Sequence, residues 1–216
     1  MQDLAVVTGM IIKAVPIGEY DRRLVLLTKE RGKISAFARG ARKPSSRFVA
    51  ATNLFCFGTF KLYQGRDSYT LAEAEISNYF EELRMDFEGA YYGMYFLEIA
   101  DYYTRENNDE REMLKLLYQS LRALSVPSLS HKLIRVVYEL KSVIVNGEFP
   151  GIPADKNYLP STEYTVEYIV NSSIEKLYTF TVTAEVLEEL KAIAEKICKM
   201  CLSSHFHSLE ILDTLE

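Results

Sequence analysis

The residues with the clearest chemical potential lie between Arg22 and Arg47, in RRLVLLTKERGKISAFARGARKPSSR. Nine of them are basic (Arg22, Arg23, Lys29, Arg31, Lys33, Arg39, Arg42, Lys43, Arg47) and one, Glu30, is acidic. Cations at this density neutralise phosphates and release condensed counterions, which is the chemistry of gripping a polyanion. The chain as a whole is acidic, at net −5. Residues 1–80 hold twelve Lys/Arg against seven Asp/Glu, and residues 81–216 hold thirteen against twenty-three. A net +5 front and a net −10 back predict two jobs. The front meets a polyanion, nucleic acid first among them, and the back contacts something else.

Alternation tells which of these groups face outward. Lys33, Ser35, Phe37 and Arg39 share one face of a strand, and Ile34, Ala36 and Ala38 take the other. The small apolar set suits an interior. The outward set pairs two cations with a ring, and a ring offers a base a stacking platform. The next strand is expected to turn Leu54, Cys56, Phe60 and Leu62 inward and Phe55, Phe57, Lys61 and Tyr63 outward. Between them, Gly40-Ala41-Arg42-Lys43-Pro44-Ser45-Ser46-Arg47 is a glycine-started, donor-rich turn suited to following a phosphate backbone. No recognition helix or finger is visible, so base-specific readout is not expected.

Other chemistries find little support. The chain has no Gly-x-x-x-x-Gly-Lys-Ser/Thr, no Gly-x-Ser-x-Gly and no His-Glu-x-x-His. Paired carboxylates such as Glu81-Glu82 and Glu188-Glu189 read as solvated helix faces. The protein is therefore not expected to be an enzyme or to need a cofactor. Cys198, Cys201, His205 and His207 have zinc-like spacing. Yet the two cysteines fall beside the apolar stripe Leu187, Leu190, Ala194, Ile197, and a continuous helix spreads such ligands along its axis. No metal is expected there. Cys56 reads as core.

The elements that position these groups change character along the chain. Val6–Val15, Leu24–Thr28, Lys33–Arg39, Phe55–Tyr63 and Tyr69–Ile76 read as strands, with turns at Gly18, Arg31-Gly32, Gly40 and Gln64-Gly65-Arg66-Asp67. Five short antiparallel strands in this length predict a small closed barrel of the OB type. Beyond Tyr79 the pattern turns helical. Phe87–Tyr103 is apolar nearly all round, Asp109 and Glu112 resemble a capping box, and Ser130–Val145 ends at Asn146-Gly147. Val166–Val170 and Leu177–Val182 read as a hairpin around Asn171-Ser172-Ser173, and Ala184–Leu202 as a last helix capped by Thr183. The fold class is thus α+β: an OB-fold barrel over 1–79, then a helical domain over 80–216 with a small β-hairpin insertion at about 148–182.

No run approaches the roughly 18 apolar residues that cross a bilayer. The start, with Asp3, does not resemble a signal peptide, and three cysteines fit reduced thiols. A cytoplasmic protein is expected.

With these residues in view, the chain resembles the bacterial RecO family of recombination mediators. The likeness runs through Gly18-Glu19-Tyr20-Asp21-Arg22-Arg23, Leu26-Leu27-Thr28-Lys29-Glu30-Arg31-Gly32-Lys33 and Ala38-Arg39-Gly40-Ala41-Arg42-Lys43. It continues in Leu71-Ala72-Glu73-Ala74-Glu75, Ala90-Tyr91, Leu97-Glu98 and Ser208-Leu209-Glu210-Ile211-Leu212. The resemblance implies an OB-fold, a helical domain and roles in DNA repair and recombination, in the cytoplasm with the nucleoid. It implies binding of single- and double-stranded DNA, annealing of complementary strands, and work with RecR and single-strand-binding protein (SSB) to load RecA. The DNA face would comprise Arg22, Arg23, Lys33, Phe37, Arg39, Arg42, Lys43, Arg47 and Lys61. Relatives carry a zinc module of two Cys-x-x-Cys pairs near residues 148–182, where this chain has no cysteine, so no structural zinc is expected. An acidic SSB tail with an apolar end would need a pocket with cations, for which Arg122, Lys132, Arg135 and Lys141 are candidates. The competing classes are a protein-interaction adaptor with an incidental basic patch, and an RNA-binding barrel.

Overall fold

In the computed structural model, which describes residues 3–66, 68–155 and 157–215, strands come first and helices after. Five strands close a barrel in the order β1-β2-β3-β5-β4: β1 (Leu4–Ile17), β2 (Asp21–Thr28), β3 (Gly32–Ala38), β4 (Phe57–Gln64) and β5 (Tyr69–Asn78). A short helix, α1 (Phe48–Ala51), lies between β3 and β4 in sequence. β3 and β5 pair parallel, and every other pair is antiparallel. This is OB-fold topology, as the sequence predicts.

β1 serves two sheets. Leu4–Met10 pairs with β4 and Gly9–Ile17 with β2, with a bulge between Ile11 and Lys13. Glycine is needed where the strands crowd at that bend. A Cβ on Gly9 would lie 2.3 Å from the Leu27 carbonyl oxygen, and one on its partner Gly58 2.1 Å from that of Glu75. Inside, Ile11, Leu24, Leu26, Ile34, Phe60 and Leu62 are fully buried, with Ala36 and Ala38 filling the narrower space. Cys56 belongs to this core. One parity expectation is corrected. Phe55 adopts φ 71° and buries its ring, so the outward alternation of β4 begins only at Phe57.

The contacts divide the chain into two compact units. The first holds the barrel, up to Glu81, and residues 100–114. That second segment braces the β2–β3 turn: the Lys33 amide donates to the Arg105 carbonyl (3.0 Å) and the Asn107 amide to that of Arg31 (3.0 Å). Gly32, at φ 62°, has no room for a Cβ, which would meet the Arg105 oxygen at 2.3 Å.

The second unit, residues 82–99 and 115–216, is helical among its described residues. After the barrel the helices are α2 (Glu81–Met85), α3 (Phe87–Tyr103), α4 (Arg111–Leu124), α5 (His131–Val145), α6 (Pro160–Asn171), α7 (Ala184–Cys201) and α8 (His207–Leu215). α5 is central, buried from Leu133 to Val143 except at Arg135. The Tyr138 ring stacks on Phe96 (4.1 Å), and its hydroxyl donates to the Phe96 carbonyl (2.8 Å). Thr183 caps α7 as expected, accepting from the Val186 amide.

The β-hairpin expected within 148–182 is not formed. Residues 160–171 are α6, and Ile174–Lys176 is a 3₁₀ turn. Pro160 starts the helix at its first turn. Thr162, Thr165, Val166 and Ile169, at helical spacing, form its buried face. The decisive partner is distant. The buried Lys141 ammonium donates to the carbonyls of Ile169 (2.9 Å), Val170 (3.0 Å) and Ser172 (2.8 Å), satisfying the helix end. α8 is a further element that the sequence pattern did not suggest.

Candidate nucleic-acid interface

The barrel brings part of the basic segment together at one end. At the tip of the β1–β2 connection, Gly18-Glu19-Tyr20 meets the loop that follows β3. The Arg42 amide donates to the Tyr20 carbonyl (2.8 Å), and the Arg42 guanidinium reaches the Gly18 carbonyl (3.4 Å). The Gly40 amide donates to the Asp21 carboxylate (2.7 Å), and the Lys43 ammonium sits 5.4 Å from the Tyr20 ring centre. The Glu19 hydrogen bond, with some burial, keeps the Tyr20 phenol above its ordinary pKa, hence neutral. Arg39, Arg42 and Lys43 are exposed there. Among the described residues, the Arg39 guanidinium has no hydrogen-bond or ion-pair partner.

The loop's charge, rather than its backbone, is what remains available. Its amides at Gly40, Arg42, Lys43 and Ser46 are already taken, the last two by the Gly40 (3.1 Å) and Lys43 (2.9 Å) carbonyls. These backbone donors of the glycine-started turn are therefore not free to meet a phosphate backbone.

Beside this end, the strand register lines up an outer row. Val15 pairs with Arg23, Arg23 with Phe37, Phe37 with Thr70, Thr70 with Tyr63, and Tyr63 with Leu4. Arg23 is exposed and Phe37 half-buried, with the Arg23 Nε held by the Ser35 hydroxyl (3.1 Å). Leu4, Val15 and Tyr63 are exposed apolar side chains. A cation, two rings and apolar surface thus follow one circumferential line, the arrangement that single-strand stacking uses.

Other expected members lie elsewhere. Arg22 has the inward parity of Leu24 and Leu26. Its guanidinium donates to the Thr52 carbonyl (3.0 Å), the Thr52 hydroxyl (2.9 Å) and the Asn53 side chain (2.9 Å), tying down the end of α1. Lys33 is held by Asp101, donating to its carboxylate (3.0 Å) and its carbonyl (2.6 Å), and Lys13 shares that carboxylate (2.7 Å). Burial opposes ionisation of Asp101, but the two lysines outweigh it and keep its carboxyl below the usual range. Lys61 pairs with Glu73 across β4–β5 (2.7 Å), which raises the lysine pKa and lowers that of the carboxyl. With Glu75 also exposed on β5, Lys61 belongs to a mixed face. Arg47 donates to the Ala72 carbonyl (2.7 Å) and covers the Phe48 ring at 5.0 Å. Tyr20 is the member that sequence reasoning missed. Its signal was an aromatic placed just after the turn glycine Gly18.

The helical unit holds a second feature, a cleft of about 430 Å³. Lys132, Arg135, Lys191 and Lys199 line it together with Val136, Leu202, Phe206 and Leu209. Arg135 bonds the buried Glu139 (3.0 Å), which also accepts from Tyr95 (2.8 Å). Burial raises the Glu139 pKa despite both partners. Two of the four candidate cations, Lys132 and Arg135, thus line the cleft. Lys141 is instead buried against α6, and Arg122 is not among the lining residues. Cys198 sits in the same cleft with its thiol pushed well up by burial. His205 and His207 turn instead to Glu210 (3.1 and 3.7 Å), and no three metal-ligating groups converge among the described residues.

A closed five-stranded barrel with this topology and a cationic, aromatic-bearing end is an OB-fold protein. Its first 80 residues match the family model described as recombination protein O N terminal, and residues 84–151 match that for recombination protein O C terminal. The chain belongs to the RecO family of DNA repair proteins. It is 30% identical to the DNA repair protein RecO of Acetivibrio thermocellus, over 97% of this chain and 96% of that one. It is 27% identical to that of Clostridium novyi, over 96% and 93%, and 35% identical to that of Symbiobacterium thermophilum, over 68% and 58%. No helix among the described residues is long and apolar enough to cross a membrane.

Proposed function

We propose that this RecO-family protein binds single- and double-stranded DNA through the barrel, anneals complementary strands and, with RecR, helps load RecA onto SSB-coated single strands in the cytoplasm, beside the nucleoid. Residues 1–79 act as the nucleic-acid-binding domain and residues 80–216 as the protein-contact domain. The observation that carries this reading is the meeting of Arg42 and Lys43 with Tyr20 at one barrel end, with Arg39 exposed in the same loop and Arg23 and Phe37 paired on the adjoining strands. Arg23, Arg39, Arg42, Lys43 and Arg47 grip phosphates, while Phe37 stacks on bases. Arg22, Lys33 and Lys61 act in support, because Arg22 is tied into the end of α1 and the two lysines are ion-paired with carboxylates. Reversible stacking over a backbone grip leaves base edges free to find a complement, which annealing requires.

The cleft around Arg135 is the place for the SSB tail. Its cations suit an acidic peptide, and Val136, Leu202 and Phe206 suit an apolar end. The test is strand annealing with SSB-coated complementary oligonucleotides. A variant with alanine at Arg39, Arg42 and Lys43 is expected to lose most of the annealing rate while remaining folded. An undiminished rate would remove the loop from the mechanism.

A further inference from the structure

The cleft is partly occupied by its own chain. Phe206 and Leu209, at the start of α8, form one wall, and the Asp213 carboxylate from the same helix lies 3.6 Å from the Arg135 guanidinium. α8 is fixed in this position at both ends of its first turns. The Ser208 amide and hydroxyl bond the Glu98 carboxylate, the hydroxyl at 2.8 Å, and Leu212 is buried. Phe206 packs edge-on against Tyr95, 5.7 Å between ring centres. Arg135 therefore has two acidic partners of different kinds. Glu139 is buried and bonded to Tyr95, so displacing it would strand a buried carboxylate. Asp213 is 61% exposed and can swing into solvent freely.

We infer that α8 is a built-in competitor for the acidic peptide, with Asp213 holding on Arg135 the place of the incoming carboxylate. The inference rests on the reading that this cleft docks an acidic peptide with an apolar end. Two of the three cleft lysines are also engaged, Lys191 by Glu188 (2.9 Å) and Lys199 by Glu195 (2.6 Å), but those are neighbours along one helix. Asp213 alone among these acids comes from α8, where its carboxylate imitates the acidic half of the ligand, while Phe206 and Leu209 remain as wall for the apolar end. Its effect is to weaken docking at low salt and to flatten its salt dependence, because one ionic contact is exchanged for another.

Fluorescence anisotropy with the full chain tests this, using a fluorescein-labelled peptide of four aspartates ending in a C-terminal phenylalanine. Asp213→Asn is expected to tighten binding roughly two- to fivefold at low salt, with the gain vanishing near molar salt. Asp213→Glu, which keeps the charge, is expected to bind as the unaltered chain does. In an Arg135→Ala background the Asp213→Asn gain is expected to disappear, since the competition runs through that guanidinium. If the unaltered chain binds the peptide and Arg135→Ala weakens it, but Asp213→Asn gains nothing, the competitor role is overturned and the docking reading stands. An equal gain with Arg135 absent also overturns it, as a general charge effect. Peptide binding in none of the variants removes both.

Discussion

The Lys33 ammonium is bound to Asp101, 3.0 Å from its carboxylate, and Lys13 closes on the same carboxylate from β1, beyond β2. A strand cation that the alternation of β3 turns outward is therefore neutralised locally. On the proposed reading, the phosphate grip falls to the loop after β3 instead.

Asp101→Asn is expected to release both lysines. Single-strand affinity should rise, and the slope of log K against log salt should steepen by up to about 1.4, at about 0.7 per added phosphate contact. Removing the pair should also lower stability by about 1 kcal/mol or less, given its partial exposure. Since the folded pKa is depressed, the Asp101 contribution is present above the unfolded value near 3.9 and lost as pH falls through the lower folded one. Urea unfolding at pH 7 should separate the variant from the parent, and the difference should shrink as pH falls below the unfolded value.

Arg22→Ala is expected to be a stability variant. It leaves the Thr52 carbonyl and the Asn53 side chain without their charged donor, a loss of about 1.5–3 kcal/mol. The salt slope of DNA binding should be unchanged. A flattened slope with normal stability would return Arg22 to the binding face.

Lys141→Met keeps the stem and removes the ammonium that feeds three carbonyls at the end of α6. Orphaned buried carbonyls predict about 2–4 kcal/mol of destabilisation. Hydrogen exchange should show the loss first in the last turn of α6.

Much of the barrel could be read from the sequence, for physical reasons. The Ile34-Ala36-Ala38 alternation and the turns at Gly18 and Gly32 are local signals, and they place β2 and β3 correctly. The inward parity of Arg22 was also available, since Leu24 and Leu26 fix the face, but its positive charge suggested the outside. Other features depend on contacts far along the chain. The Lys33 partner is 68 residues away. The α6 segment carries Thr165, Val166, Ile169 and Val170, all β-branched, so local preference favoured strands. Packing and the Lys141 ammonium decide for the helix. The Arg135 cleft draws on α3, α5, α7 and the segment leading into α8, which no single stretch of sequence announces.

Phe37→Ala is expected to weaken single-strand binding by about 1–3 kcal/mol, roughly 5- to 150-fold, as one stacked base is lost. Duplex binding should change little, because paired bases do not reach the ring. Equal losses on both substrates would mean that Phe37 supports the strand instead of stacking.

The central claim is that DNA is held by cations gathered at one end of the barrel, and the salt dependence of single-strand affinity tests it most directly. The four cations of that end, together with Arg47, predict a slope of log K against log salt near −3.5, falling to about −1.4 when Arg39, Arg42 and Lys43 are replaced by alanine. A slope that stays the same in that variant would contradict the account.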